Sequence, residues 1–480
     1  MKLSEIKDKI LPKITPMHSE INKINNIISI IISELEKEAK LNSIAYNHIE
    51  PQGSTGIKQT NLSGTSDIDL FFLLDPNKYQ EILDMPKKEK KKSLSGLFKE
   101  LSINWVMKAL KNIGCSDIKL SYAEHPYVSA SYDGFSIDVA GCFELSLNTL
   151  KNNGPITAID RTPHHSNFIN KNLSKNEKNE VRLLKAFFKS AKIYGDKSFM
   201  DKMGFTGFAC ELFIYYYKKI EKVFEKIRDS ENIIIDYFQR KDDEIKNQPK
   251  FENQSIIIID PTDPERNVTA SISEKIFQFS KFMINKFYEK PTSDFFIEKA
   301  IEIKSNKEFD PFLDNVVFIE LEIYNQDVHY TLIRDKLYVV AEKIRKSFQK
   351  PEYLDIKDFF YSIIYDKINA SIIFYFKNGR CFEKKYFKMG PPLYLKDSLQ
   401  DFKVKNPKVF EKNGRLWAHL NRKFHNAIDF IKSIIKKEDF KYFNINEIGK
   451  IPKLKLSKQN FSFLIEELIP FYFENNHVKK

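Results

Sequence analysis

The sequence predicts a multidomain α+β protein, and three observations lead to that prediction. The chain has 480 residues, which at roughly 100–200 residues per domain is enough for two to four domains. Apolar residues make up 42% of it, so the domains can bury cores. Strand patterns are frequent in the first third, helical patterns lengthen after about residue 150, and strands alternate with helices from about residue 290. We therefore expect an N-terminal sheet with a helix, a helical middle and a mixed C-terminal half.

The first elements follow from their periodicity. Residues 19–40 carry apolar residues at helical spacing and predict a long amphipathic helix. The run IDLFFLL at 68–74 is short, apolar and aromatic, which favours a buried strand. The Lys-rich run at 86–92 is interpreted as the solvated start of a helix, with RNA contact as the alternative. Residues 127–143 alternate about Asp133–Gly134 and predict a hairpin.

Two later segments are also informative. Residues 179–195 predict a helix with Val181 and Leu184 on an apolar face and Lys185 within a cationic stripe. Residues 255–267 predict a buried strand that ends in a Pro-rich turn. Beyond them the alternation of strands and helices shows no internal repeat.

Composition excludes several classes of protein. Glycine (15 residues) and proline (19 residues) are scarce, which excludes collagen-like and Pro-rich disordered chains. Phenylalanine (41) and tyrosine (22) are abundant, whereas disordered chains are poor in aromatic residues. The 4 cysteines show no CxxC spacing, which excludes a zinc ribbon and argues against a disulfide framework.

Charge and hydropathy predict a cytoplasmic protein with a polyanionic partner. The 77 Lys and Arg residues exceed the 65 Asp and Glu residues and give a formal charge of +12. This is weak support for nucleic acid, because a Lys-rich composition alone produces it. The N-terminal segment mixes acids and bases, so we predict no signal peptide. No stretch approaches the ~18 apolar residues of a membrane helix, and we expect no membrane partner.

The most informative residues are three aspartates and a Gly-Ser pair. Asp67 and Asp69 are two apart at the start of a strand, so their carboxylates share one face. Asp138 lies on a strand of the predicted hairpin. Burying adjacent carboxylates is costly unless cations offset them, and carboxylate oxygens suit Mg²⁺. Gly53-Ser54 supplies a backbone N–H and a hydroxyl for phosphate oxygens.

Each part of this pattern has a structural alternative when it is taken alone. A DxD sequence is common on loops and strand edges, and Asp138 alone fits a surface residue beside a turn. The combination is more specific: Gly-Ser, then DxD entering a strand, then a later strand Asp resembles the signature of DNA polymerase β-like nucleotidyltransferases. Three carboxylates from two neighbouring strands could hold two Mg²⁺ ions for in-line phosphoryl transfer.

Further segments extend the resemblance to one family, the archaeal-type (class I) CCA-adding enzymes, or CCA tRNA nucleotidyltransferases. They run in order from about residue 15 to 425. The segments that match family motifs are YAEHPYV (122–128), AIDRTPHHSNF (158–168), NEVRLLKAFFKSAKIYG (179–195), GFTGFACELFI (204–214), DPTDPERNVTAS (260–271), KMGPP (388–392) and NGRLWAHLNRKF (413–424).

The resemblance implies an activity and an architecture. Family members add C, C and A to the 3′ end of tRNA from CTP and ATP without a template and release pyrophosphate. By resemblance we expect a polymerase β-like catalytic head (1–150), a helical nucleotide-binding neck (151–289) and a mixed α/β body and tail that bind tRNA (290–480). A homodimer is also implied.

The resemblance also implies site residues. Asp67, Asp69 and Asp138 would be catalytic and bind two Mg²⁺ ions. The nucleotide-binding residues would be Gly53, Ser54, Lys58, Thr162, His165, Lys185, Tyr194 and Arg266. Four of these have bland alternatives: Lys185 on a solvated helix face, Tyr194 as a core aromatic residue, His165 as a hydrogen-bonded structural histidine, and Arg266 in a turn that pairs with Asp260 or Asp263.

The remaining expectations are weaker. The Gly-Ser loop is one residue longer than in the family, and Lys58 stands where an Arg is usual, so the position keeps its charge but loses the bidentate geometry for phosphate. Candidate RNA contacts are Glu124, His125, Lys388, Arg415, Arg422 and Lys423. We expect Trp417 in the core rather than stacked on RNA. The alternatives are another polymerase β-like nucleotidyltransferase, either a poly(A) polymerase or a cyclic-dinucleotide synthase, or a catalytically inactive tRNA-binding protein.

Overall fold

The computed structural model describes residues 2–65, 67–122, 125–195, 202–325, 328, 330–366, 368–406 and 408–474. The chain folds into two compact units, residues 1–299 and 300–480. The sheets and helices combine as the predicted α+β class requires. The expected division of the first unit at residue 150 stays a prediction.

The strands of the first unit are β1 (His48–Gln52), β2 (Asp67–Leu74), β3 (Ser116–Tyr122), β4 (Pro126–Tyr132), β5 (Phe135–Phe143), β6 (Ile233–Ile235), β7 (Ile256–Asp260) and β8 (Asp263–Asn267). Its helices are α1 (Leu3–Ile14), α2 (His18–Leu41), α3 (Gln80–Leu83), α4 (Lys87–Leu101), α5 (Met107–Asn112), α6 (Leu147–Asn153), α7 (Thr162–Asn172), α8 (Lys175–Ser190), α9 (Gly207–Tyr217), α10 (Ile220–Asp229), α11 (Asp242–Lys246) and α12 (Glu274–Glu289).

A five-stranded sheet with the order β1-β2-β5-β4-β3 forms the N-terminal part. The strand predicted at 68–74 is β2, and the predicted hairpin is β4–β5. Asp133 (φ 48°) and Gly134 (φ 83°) both take left-handed backbone angles at its turn, which a two-residue hairpin loop favours. β2 and β5 run parallel, whereas the other neighbours run antiparallel.

Helices α2, α4 and α5 cover this sheet. The helix predicted at 19–40 is α2, and Ile24, Ile31 and Leu35 on its apolar face are buried. The indole N–H of Trp105 donates to the Leu35 carbonyl at 2.7 Å, so this buried ring is satisfied. The Lys-rich run begins α4 and is mostly exposed, as a solvated helix start requires. One apolar core therefore joins helices and sheet.

The predicted helix at 179–195 is α8, which begins at a Ser174–Glu177 capping box. Its apolar face is buried, including Val181 and Leu184. The predicted strand at 255–267 is only partly right. β7 is fully buried as expected, but the chain after its Pro-rich turn returns as β8, because Ile259 pairs with Asn267 across that turn.

The strands of the second unit are β9 (Val316–Ile323), β10 (Phe359–Tyr365), β11 (Asn369–Phe376), β12 (Lys385–Pro392), β13 (Val409–Lys412), β14 (Arg415–Asn421) and β15 (Phe443–Gly449). Its helices are α13 (Asn306–Phe309), α14 (Tyr330–Ser347), α15 (Lys396–Lys405), α16 (Ala427–Ile434) and α17 (Lys455–Phe463). The strands form two antiparallel sheets with the orders β10-β11-β9-β15 and β12-β14-β13. Across the described residues of both units, every helix is too short or too polar to span a membrane.

Candidate active site

The three aspartates lie on adjacent parallel strands. Asp69 on β2 is in register with Asp138 on β5, and Asp67 stands two residues before Asp69 on the same face of β2. The carboxylates lie at the exposed beginning of β2 and in the middle of β5. The structure therefore brings together residues that are distant in sequence.

Burial and the neighbouring negative charges change the proton affinity of two of them. Burial, with further contributions from Asp138 and Asp67, raises the pKa of Asp69 to about 6. Burial also raises the pKa of Asp138, although the hydroxyl of Ser129 donates to Asp138 Oδ1 at 2.6 Å and favours the ionised form. Negative charge is thus disfavoured here, and a bound cation would offset it.

The donor set fits Mg²⁺ in chemistry but is not arranged as a ready metal site. All three side chains offer carboxylate oxygens, the ligands that Mg²⁺ prefers. Within the described part of the chain, however, no group of three or more His, Cys, Asp or Glu side chains is placed to hold a metal ion. Asp138 is engaged by Ser129, so a shared cation would compete with that hydrogen bond. Metal binding by these residues stays a prediction.

Gly53 approaches Asp69 closely. It follows β1, whose last residue Gln52 pairs with Asp69, and it has a φ of +66°. A Cβ at this position would overlap Oδ2 of Asp69. Only glycine therefore allows both the left-handed turn and the observed position of the Asp69 carboxylate.

Gly53→Ala is expected to displace Asp69 and to lower any activity that depends on it by at least about tenfold. A loss of only ~1.4 kcal/mol in the stabilisation of the transition state is enough for a tenfold lower rate. Gly64→Ala is the matched control. Gly64 has a similar φ of +75°, but no described atom lies within 4 Å of its Cβ position. In both variants the free energy of unfolding, measured with urea, should fall by roughly 1–2 kcal/mol, because alanine is strained in the left-handed backbone conformation. Equal activity in the two variants would contradict a role for the close approach.

A buried charge cluster lies beside the Gly-Ser loop. Lys185 of α8 is only 2% exposed, so the solvated-face alternative for it is wrong. Its Nζ contacts Glu211 Oε1 at 3.1 Å, and Lys58 Nζ contacts Glu211 Oε2 at 3.0 Å. The hydroxyl of Thr60 donates to Glu211 Oε1 at 2.5 Å. One carboxylate of α9 thus holds a lysine of the loop and a lysine of α8.

These contacts define the ionisation of the cluster. Burial alone would raise the pKa of Glu211, but Lys58 and Lys185 lower it to about 2. Burial lowers the pKa of Lys185, and Glu211 opposes that change. Lys58 is therefore engaged in an internal ion pair that ties the loop to α9.

A second polar cluster joins α7 to the β7–β8 turn. His165 Nε2 lies 2.7 Å from Asp260 Oδ2, and Arg266 Nη1 donates to the same oxygen at 2.7 Å. The sequence-based alternative for Arg266 was a pair with Asp260 or Asp263, and the structure shows the pair with Asp260. Burial lowers the pKa of His165 despite the neighbouring Asp260. The His165 ring stacks on Phe208 at 4.0 Å, and Lys58 Nζ lies 5.9 Å from the same Phe208 ring, so the two clusters are contiguous.

The other predicted nucleotide-binding residues lie in the same unit. Ser54 is in the turn after β1, and its carbonyl accepts from the Thr60 N–H at 3.0 Å. Thr162 is the first residue of α7. Burial raises the pKa of Tyr194 well above its ordinary value, so its hydroxyl stays a neutral donor. The charges of Cys210, Glu211 and Asp67 add to that shift.

The predicted RNA contacts have different environments. Glu124 lies outside the described residues. His125 is buried and stacks on Phe98 at 4.1 Å. Arg422 is buried, donates to the Glu383 carbonyl at 2.8 Å and pairs with Asp355. An RNA contact by the guanidinium of Arg422 is therefore not expected.

The candidates on β12 and β14 are more accessible. Lys388 is half-buried with Nζ 5.9 Å from the Phe402 ring, and Arg415 is half-buried with Nε donating to the Gly390 carbonyl at 3.2 Å. Lys423 is exposed. Trp417 is half-buried rather than in the core, so that expectation was wrong.

Sequence reasoning missed Glu211. It is the only charged residue in α9, whose sequence is GFACELFIYYY. A carboxylate in such an apolar helix is buried with the helix and needs cationic partners. That signal was present in the sequence, although its partners could not be read from it.

Comparison with known proteins gives a consistent result. Residues 179–297 match the family model "tRNA nucleotidyltransferase, second domain". A CCA-adding enzyme from Methanocaldococcus jannaschii is 26% identical over 90% of this chain and 91% of that protein. One from Saccharolobus islandicus is 26% identical over 90% and 92%, respectively. Among solved structures, CdnC of E. coli MS115-1 with ATP is 18% identical, covers 60% of this chain and 93% of that chain, and has a TM-score of 0.43.

The sequence relatives cover nearly the whole chain, and the family-model match includes α8, α9 and the β7–β8 turn. These elements supply Lys185 and Glu211 to the first polar cluster and Asp260 and Arg266 to the second, whereas Lys58, Thr60 and His165 precede the matched residues. The resemblance stated from the sequence is therefore confirmed: over nearly its whole length the chain is similar to archaeal CCA-adding enzymes, which are tRNA nucleotidyltransferases.

Proposed function

We propose that this protein adds C, C and A to the 3′ end of tRNA, using CTP and ATP without a nucleic-acid template and releasing pyrophosphate. The observation that carries the proposal is the register of Asp69 with Asp138, with Asp67 on the same face, in a chain with CCA-adding relatives over 90% of its length. Neither a structural ion-pair network nor a surface loop requires three carboxylates, all of the same charge, on neighbouring strands.

The reaction joins the tRNA to one nucleotide at a time. A bond forms between the terminal 3′ oxygen and the α-phosphorus, the bond from that phosphorus to the bridging oxygen of pyrophosphate breaks, and the hydroxyl proton is released. Asp67, Asp69 and Asp138 would hold two Mg²⁺ ions. When bound, such ions activate a hydroxyl and stabilise the charge of a leaving pyrophosphate.

The neck residues would position the triphosphate. A guanidinium has five N–H donors, so the Arg266 pairing through Nη1 is compatible with a further contact to a phosphate or base. Its side chain is 37% exposed. Tyr194 offers a neutral hydroxyl, Lys185 adds buried positive charge through its pair with Glu211, and Gly53 and Ser54 offer the loop backbone. Asp260 holds both Arg266 and His165 in place.

Divalent ions are expected to stabilise the protein through Asp69. Adding Mg²⁺ or Mn²⁺ at pH 7.5 should raise the melting temperature of the wild type, because ligands that bind only the folded state add RT ln(1 + [L]/Kd) to its stability. Asp69→Asn should abolish most of this increase, whereas Asp84→Asn, at an exposed position, should retain it. The measurement is differential scanning fluorimetry, and an equal shift in Asp69→Asn would exclude this residue as a ligand.

The proposal is tested with tRNA that ends before CCA. The protein receives Mg²⁺ and labelled CTP, ATP or both, and the products are separated on a sequencing gel. The proposal predicts two added residues with CTP alone and three with both nucleotides. A long ladder with ATP alone would indicate a poly(A) polymerase, a product formed without RNA would indicate a cyclic-dinucleotide synthase, and tight tRNA binding without incorporation would leave a binding protein.

A further inference from the structure

Arg182 lies on the face of α8 that meets the Gly-Ser loop, residues 53–62, which follows β1. It precedes Lys185 by three residues, so the two side chains share one face of the helix. Arg182 is only 7% exposed, whereas arginine is almost never fully buried without a partner. Because burial of a charged group is costly, the contacts of this guanidinium need an explanation.

The guanidinium of Arg182 donates to the backbone of the loop. Its Nε donates to the Asn61 carbonyl at 2.9 Å, and its Nη2 donates to the Gln59 carbonyl at 2.6 Å. Its Nη1 donates to Oδ1 of Asn179, one turn earlier on α8, at 2.8 Å, and this contact helps to fix the plane of the group. All three acceptors are neutral oxygen atoms, so these contacts define a geometry rather than neutralise a charge.

Together with Lys185, Arg182 holds three successive carbonyl groups of the loop. Between Gln59 and Asn61, the carbonyl of Thr60 accepts from Lys185 Nζ at 3.1 Å. Gln59 has a φ of 49°, a left-handed angle that is unfavourable for a residue with a side chain. The contacts with α8 offset this cost and stabilise the observed shape of the segment.

The held segment sets the position of the Gly-Ser pair. The N–H of Thr60 donates to the Ser54 carbonyl at 3.0 Å and closes the loop on itself. Gly53, which precedes Ser54, lies against the carboxylate of Asp69. A displacement of Thr60 would therefore also displace the pair that borders the aspartates.

A guanidinium suits this task better than an ammonium group does. The Nε and Nη2 of Arg182 lie in one plane and reach two carbonyl groups that are two residues apart. A lysine at this position would keep the positive charge but lose the planar fork. The substitution Arg182→Lys therefore separates the geometric role of the side chain from its charge.

We propose that Arg182 is a positioning residue for the nucleotide, because it fixes the Gly-Ser loop in the shape that presents Gly53 and Ser54 to the phosphates. That these two residues contact a triphosphate rests on the proposed function. Arg182 is outside the set of residues that the resemblance assigns to nucleotide binding, and it acts through the loop rather than by touching the substrate.

Nucleotide affinity tests this role. Because misplacement of a binding group by about 1 Å costs up to ~100-fold, Arg182→Lys should raise the Kd for Mg·CTP and Mg·ATP by roughly 5–50-fold. Isothermal titration calorimetry measures both values. The KM for tRNA should stay unchanged, whereas a general loss of folded protein would lower the rate without altering either KM. Arg228→Lys is the matched control, since Arg228 pairs with Asp229 on α10, and it should bind both nucleotides like the wild type.

Hydrogen exchange of the loop provides a readout that does not depend on activity. Amides in the peptide that spans residues 53–62 should exchange faster in Arg182→Lys than in the wild type. Asn179→Ala, at a half-buried position, removes the partner of Nη1 and should raise the nucleotide Kd in the same direction but less. This second variant keeps the test valid should Arg182→Lys fold poorly.

Three results would overturn the proposal. The first is a wild-type nucleotide Kd in both Arg182→Lys and Asn179→Ala. The second is a raised Kd with unchanged exchange of the loop, which would assign Arg182 a direct contact with the nucleotide. The third is an equal rise in KM for tRNA and for the nucleotide, which would indicate a general structural role.

Failure of this proposal differs from failure of the proposed function. A wild-type protein that binds Mg·CTP in a manner dependent on Arg182, but adds no nucleotide to tRNA, would contradict the proposed function and retain the positioning role. Addition of C, C and A by an Arg182→Lys protein with wild-type nucleotide affinity would do the reverse.

Discussion

Asp69→Asn is expected to reduce nucleotide addition by at least about a thousandfold and, at the same time, to stabilise the metal-free protein at neutral pH. A bound ion contributes several kcal/mol to the stabilisation of transition-state charge, and each 1.36 kcal/mol is tenfold in rate. An amide is a weaker ligand than a carboxylate, so much of that contribution should be lost. The activity is measured as single-turnover incorporation into tRNA.

The gain in stability follows from the pKa of Asp69. Burial and the neighbouring aspartates raise it from 3.8 to about 6 in the folded state, so the folded protein binds more protons than the unfolded chain between these values. Stability from this group is therefore lost as pH rises from about 4 through 6. The neutral Asn avoids that cost, which is on the order of 3 kcal/mol at pH 7.5.

Urea unfolding in EDTA at pH 4.5 and pH 7.5 checks this prediction. Asp69→Asn should exceed the wild type in stability at pH 7.5 and approach it at pH 4.5. Asp84→Asn, at an exposed position, should match the wild type at both values. A loss of stability in Asp69→Asn at pH 7.5 would contradict the electrostatic description of the site.

Glu211→Gln is expected to destabilise the protein by about 3–5 kcal/mol, because removal of one partner leaves buried charge uncompensated. Two lysines lose their carboxylate at once: Lys58 at 3.0 Å and Lys185 at 3.1 Å. The pKa of Glu211 is lowered to about 2, so its contribution is present above the unfolded value of 4.5 and is lost as pH falls toward 2. The free energy of unfolding at pH 7.5 measures the effect.

Two further variants separate this mechanism from a general effect of charge removal. Glu225→Gln breaks an exposed pair with Lys222 and should change stability by less than about 1 kcal/mol. Lys58→Met in the Glu211→Gln background should recover part of the loss, since it removes one of the two unpaired cations. If Glu211→Gln and Glu225→Gln cost the same, the buried cluster does not stabilise the fold as described.

Local patterns predicted the elements that carry the carboxylates. The apolar strand β2, the hairpin β4–β5 and the start of the charged helix α4 each follow from periodicity or turn chemistry within a few residues. The geometry of Asp67 and Asp69 was also predictable, because side chains two residues apart on a strand point to the same face. The sequence also indicated that a second strand would supply Asp138, and β5 is indeed beside β2.

Long-range pairing was beyond that reasoning. Lys185 belongs to a stripe that resembles a solvated face, yet it is buried because Glu211, 26 residues away, and Thr60, 125 residues away, enclose it. The environments of Arg422 and Trp417 depend in the same way on packing. Arg422 is enclosed by carbonyl and carboxylate groups from 39 and 67 residues away, whereas Trp417 lies on the uncovered side of a small sheet.

The most direct test of the proposed activity uses three tRNAs that end before CCA, after the first C and after the second C. Each is mixed with excess protein, Mg²⁺ and a single nucleotide, and the first incorporation is timed. We expect CTP to extend the first two and ATP to extend the third, with all three reactions lost in Asp69→Asn. Incorporation of ATP into all three, or equal rates in Asp69→Asn, would contradict it.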